Sequence, residues 1–222
     1  MFPEETDSIP KQKNFILRYF ANAGFRGFLH LVESDVKFTS HTEKYIDKLE
    51  TTMQVLDYDV HLSTTTDKCN YIFNKFCPRL SLDIDDDIIK SKLRLPDKLY
   101  FTSHSNVSCI AFNFNSIKDI SNVLFDERFT VGMFFIIEFL ARRRANRRPD
   151  QLYYMNQYLS IGDELGAYDM SNNAFKPDID QDTMNRENEL FKSLNINYAP
   201  DNNIDIVLDA LYNKLKAKMN VV

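Results

Sequence analysis

Apolar side chains recur first at helical spacing. Over residues 11–33, Phe15, Ile16, Tyr19, Phe20, Ala23, Phe28, Leu29 and Leu31 fall on positions that one helical face brings together. Gly24 and Gly27 interrupt that run, so the pattern predicts two successive helices. A third is predicted over 42–52, with Tyr45, Ile46 and Leu49 on one side. The period then changes. Leu56, Tyr58, Val60 and Leu62 alternate with Asp57, Asp59 and His61, which predicts a half-buried strand over 54–63.

Further on, Thr66 or Asp67 can cap a helix that runs to Phe76 and ends at Pro78. Residues 83–93 read as helical, with their acids in the first turn where the helix dipole favours them. Residues 98–103 and 107–114 are β-like and close enough to predict a hairpin. From Ser116 the pattern is helical to the end: an apolar helix buried on all sides over 129–140, a helix opened by Pro149, another over 182–194, and an amphipathic one over 203–219. The expected fold is α+β and predominantly helical, with a small antiparallel β element in the N-terminal half and a helical C-terminal half. Residues 1–10, punctuated by Pro3 and Pro10, read as a flexible arm before a single globular domain over 11–222.

Composition narrows the function classes. A hydrophobic fraction of 44% with 18 Phe and 11 Tyr in 222 residues supplies a sizeable core and argues against disorder. Only five glycines leave little material for phosphate loops. Cys69, Cys77 and Cys109 form no CxxC pair, so neither a disulfide framework nor a structural zinc site is expected. The polar N-terminus has no apolar signal region, and no apolar run reaches membrane-spanning length. A cytoplasmic setting is therefore the expectation (host cytoplasm or virion if the source is viral), with no membrane partner and no cofactor.

Charge is unevenly placed. Five of the 27 basic residues lie within 142–148, leaving 22 against 32 acids, so the rest of the chain carries −10. Arg142, Arg143, Arg144, Arg147 and Arg148 are the candidate nucleic-acid or phosphate-binding residues, because a guanidinium fork grips phosphate with two parallel hydrogen bonds. The competing reading is a helix C-terminus favoured by its dipole and neutralised by nearby acids. Asp178, Asp180, Asp182 and Glu189 have partial calcium-loop spacing, but Thr183 occupies the glycine position, and helix capping explains Asp180 or Asp182 better. His30, His41, His61 and His104 are scattered without metal-ligand spacing. No nucleophile-elbow, metalloprotease or nucleotide-loop motif is present, so the chain is expected not to be an enzyme.

Three stretches, in order, resemble nucleoproteins of segmented negative-strand RNA viruses, the bunyavirus group. They are Phe20-Ala21-Asn22-Ala23-Gly24-Phe25, Asp126-Glu127-Arg128-Phe129-Thr130-Val131 and Glu189-Leu190-Phe191-Lys192-Ser193-Leu194-Asn195-Ile196. The resemblance implies a helical RNA-packaging protein whose RNA contact is the arginine cluster and whose terminal arms bridge neighbouring subunits. The functional expectation is a non-enzymatic, self-associating nucleic-acid-binding or capsid-type viral structural protein. Two alternatives stand beside it: an interaction module gripping a host or partner helix in a groove around 129–140, and an enzyme whose site assembles in space.

Overall fold

A computed structural model describes residues 8–63, 80–83, 98–101, 109–130, 134–145, 159–161, 168–170, 180–194 and 217. The chain opens with helix α1 (Ile9–Asn22), whose N-cap Ser8 accepts a hydrogen bond from the Lys11 amide at 3.4 Å, with Pro10 in the first turn. Residues 8–10, read from the sequence as the end of an arm, therefore begin a helix, and residues 1–7 lie outside the described residues. Gly24, in the left-handed region at φ 67°, ends α1. The Gly24 amide donates to Ala21 O and the Phe25 amide to Phe20 O, each at 3.0 Å, and the Phe20 and Phe25 rings meet edge-on at 5.0 Å. This pair of reverse bonds with its apolar contact is a Schellman closure.

Beyond Gly27 the chain forms a strand, not the second helix the spacing predicts. β1 (Phe28–Val32) leads through β2 (Val36–Phe38) to α2 (Thr42–Leu56). The run Phe28, Leu29, Leu31 is too short for periodicity to separate helix from strand, and pairing decides it. Asp57 takes the left-handed conformation at φ 54°, tied down by a 2.9 Å bond from Ser116 Oγ, and turns the chain into β3 (Val60–Ser63). The strand expected from 54 thus starts later, because residues 54–56 extend α2.

β4 (Leu80–Asp83), β5 (Lys98–Phe101) and β6 (Cys109–Asn113) come next. β5 and β6 do not form the expected hairpin. β6 is the middle strand of an antiparallel β1-β6-β3 sheet, whereas β5 lies between β4 and β7 (Leu159–Ile161) in a second antiparallel sheet. β2 pairs with β8 (Tyr168–Met170). Two further helices, α3 (Phe134–Ala145) and α4 (Gln181–Ser193), complete the described elements. The class is α+β, with the small three-stranded antiparallel sheet in the N-terminal half and helices around it. β7 and β8 add short strands to a C-terminal half that reads as helical in sequence. Helices expected over 66–76, 149–158 and 203–219 and most of 83–93 lie outside the described residues.

The registers explain the layering. Leu29, Leu31, Ile110, Phe112, Val60 and Leu62 share one face of the β1-β6-β3 sheet and pack into the cluster formed by α1, the 109–130 segment, α3 and the end of α4. Phe112, Phe125, Phe129 and Phe139 are all buried there, each ring contributing roughly 1.5–3 kcal/mol of hydrophobic stabilisation. The opposite face carries His30, Ala111, His61, Cys109 and Ser63 towards α2, whose Tyr45, Leu49 and Met53 are buried. The sheet is therefore covered on both sides, and β3 is buried along its whole length rather than half-buried.

Candidate anion-binding cleft

An open cleft of about 570 Å³ forms where α1, the segment before α3, α3 and the end of α4 meet. Three guanidiniums line it, each already holding a carboxylate. Arg18 on α1 lies 2.9 Å from Glu127, and Arg128 lies 2.5 Å from Asp126. Arg142 on α3 donates from Nε to Glu138 Oε1 at 2.6 Å, four residues before it on the same helix face. Leu124, Phe125 and Leu194 contribute the apolar part of the lining.

These pairs are not equivalent. The Arg18 and Arg128 side chains are 50% and 60% exposed, whereas Arg142 is 29% exposed and its Glu138 only 3%. Arg142 also donates from Nη2 to Leu124 O at 2.7 Å, so it holds the loop to α3 as well as facing the cleft. At Asp126, burial pushes the carboxyl up, but hydrogen bonds from the Arg128 side chain and amide, with the charges of Arg128 and Arg142, outweigh it and hold the carboxyl below its ordinary value.

Asn14 positions the loop. Fully buried on α1, it accepts from the Phe125 amide at 2.8 Å and donates to Phe125 O at 2.9 Å and to Glu127 Oε1 at 2.8 Å. Asn14→Ala leaves buried backbone groups without these bonds, so a loss of about 2–3 kcal/mol in unfolding free energy is expected from urea titration. A loss within error would mean that the loop keeps its place without Asn14.

The arginine cluster divides in space. Arg142 faces the cleft. Arg143, one position further round the helix, is 7% exposed, with Nη2 2.6 Å from Asp59 Oδ1 and Nη1 donating to Asn122 O at 3.1 Å. The Arg144 backbone belongs to α3, and Arg147 and Arg148 lie outside the described residues. Arg18 and Arg128 stand alone in the sequence without a basic neighbour, so nothing along the chain marks them as belonging with Arg142. Asp180 caps α4, accepting from the Thr183 amide at 2.7 Å, and these Thr183 hydrogen bonds lower its carboxyl pKa. His104, Cys69 and Cys77 fall outside the described residues, and Cys109 is buried.

A second polar group lies between the sheet and α2. His61 Nδ1 is 3.3 Å from Tyr58 Oη and Nε2 is 3.5 Å from Tyr45 Oη, while Tyr45 Oη is 2.5 Å from Ser63 Oγ. Across the sheet on the same face, His30 Nε2 meets Glu50 of α2 at 2.8 Å. All four residues of the His61 group are buried, so it ties sheet to helix and presents no open site. No helix among the described residues is long and apolar enough to cross a membrane. Comparison with protein-family models, with curated proteins and with solved structures finds no match to this chain.

Proposed function

We propose that this chain is a non-enzymatic nucleic-acid-binding protein that meets the phosphate backbone at the cleft of Arg18, Arg128 and Arg142 and self-associates on it as a capsid-type protein. The observation that carries the reading is the placement of three guanidiniums from separate segments on one open cleft. Guanidiniums are suited to phosphate because the planar fork donates two bonds to two oxygens and stays charged at every physiological pH. The groove alternative has less support, since Phe129, Phe135 and Phe139 are buried in the chain's own core.

Binding of a short labelled single-stranded RNA, followed by fluorescence anisotropy across salt concentrations, tests this. Affinity should fall linearly on a double-logarithmic salt plot, and Arg18→Ala or Arg128→Ala should each flatten the slope by about 0.7 for a single strand. Both residues are surface-exposed, so their loss leaves the core untouched. Light scattering on the same samples should show oligomers that carry RNA at low salt and dissociate at high salt. Salt-insensitive binding, or slopes unchanged in both variants, removes the cleft as the contact.

A further inference from the structure

Resting on that reading, we infer that the cleft is an exchange site held in a self-neutralised state: a polyanionic phosphodiester strand displaces Glu127 from Arg18 and Asp126 from Arg128, while the Arg142–Glu138 pair stays closed.

Three arginines and three carboxylates leave the cleft without net positive charge, so an approaching anion finds no unmatched guanidinium there. The two outer pairs are half-exposed or more on the arginine side, and exposed ion pairs hold together weakly, by about 0–1 kcal/mol. Exchange at these positions is easy. The inner pair differs, because Glu138 is buried and Arg142 also binds Leu124 O, so opening it strands a buried carboxylate. The displaced carboxylates have somewhere to go. Glu127 keeps the Asn14 amide as a donor, and Asp126 keeps the Arg128 backbone amide at 3.0 Å.

This arrangement selects by charge number. A single carboxylate or a lone monoanion gains no more from Arg18 than Glu127 already gives. A strand that presents several phosphates, and releases its condensed counterions on binding, gains at both arginines together. Glu127 and Asp126 thus set a threshold that a polyanion passes and small anions do not.

Charge-neutral replacement of the internal anions tests this. Glu127→Gln and Asp126→Asn keep an oxygen that accepts from Asn14 and from the Arg128 amide, so the loop is preserved. Each variant should bind the labelled RNA about three- to tenfold more tightly than the wild type, as expected for removing one nearby like charge from the ligand's path. Glu43→Gln, the same charge change on exposed α2 across the sheet, corrects for net charge alone. If neither variant tightens beyond Glu43→Gln while the wild type binds RNA with a salt slope, the exchange inference is overturned and the phosphate cleft stands. If wild type and variants all fail to bind, both are overturned.

Discussion

Arg143→Ala is expected to lower the unfolding free energy by roughly 3–5 kcal/mol, the range for leaving one member of a buried pair without its partner. The Asp59 side chain is 4% exposed and the Arg143 side chain 6%, with 2.6 Å between Nη2 and Oδ1. Removing the guanidinium leaves a carboxylate buried beside Tyr58 and Val60, themselves fully buried, and frees Asn122 O from its 3.1 Å donor. It also removes a cation lying 5.3 Å from the centre of the Phe139 ring. Asp59→Ala should be of similar severity. The double variant Asp59→Leu with Arg143→Met should recover most of the loss, since no lone buried charge remains. Urea unfolding followed by far-ultraviolet circular dichroism reads all three; a single-variant loss below about 1 kcal/mol would place the pair in solvent. The consequence for function is direct. Any RNA binding lost in Arg143→Ala should track the folded fraction, whereas binding lost in Arg18→Ala should not.

Acidification from pH 6.5 should destabilise the protein through His61. Burial, reinforced by the charge of His30, lowers the His61 pKa from 6.5 to about 3. Between those values the unfolded chain holds a proton on this imidazole and the folded chain does not. Stability therefore falls as pH drops, by about 1.4 kcal/mol per pH unit once His61 is fully protonated in the unfolded state, and this group contributes no slope above about pH 7.5. The groups that face the ring are Tyr45 from α2 and Tyr58 and Ser63 beside β3, none of them anionic in this range, with the His30–Glu50 pair further across the sheet. Asp119, Asp126 and Asp180, whose pKa values are also lowered, add their own acid loss only below the ordinary carboxylate range. Urea midpoints at pH 7 and pH 5.5 isolate His61 from them. His61→Gln should flatten the dependence over that interval. An equally steep fall in His61→Gln would assign it to other groups.

The helices were legible where apolar spacing, a cap and a stop agreed. Tyr45 and Leu49 set the buried side of α2, Asp180 capped α4, and Gly24 ended α1, because each of these is a local demand of the backbone. β1 was not legible. Phe28, Leu29 and Leu31 satisfy a helical face as well as a strand, and the choice falls to hydrogen bonds with β6, more than seventy residues away. The same distance undid the 98–114 hairpin, since β6 takes β1 and β3 as partners and leaves β5 to another sheet. Alternation over 54–63 was real but its polar positions were assigned to water; packing of α2 against the second face put His61 and Ser63 inside.

The candidate site shows the same division. The sequence by itself determined that positive charge is concentrated over 142–148 and that the surrounding chain is acidic. Only the tertiary structure decided what adjacent arginines do. Successive residues on a helix point about 100° apart, so Arg142 reaches the cleft while Arg143 turns inward to Asp59, 84 positions away along the chain. It also brought Arg18 and Arg128 to Arg142, and set a carboxylate on each of them. Local chemistry determines which residues can form a helix or carry a charge; long-range packing decides which charges meet, because the chain closes its core before any surface is chosen.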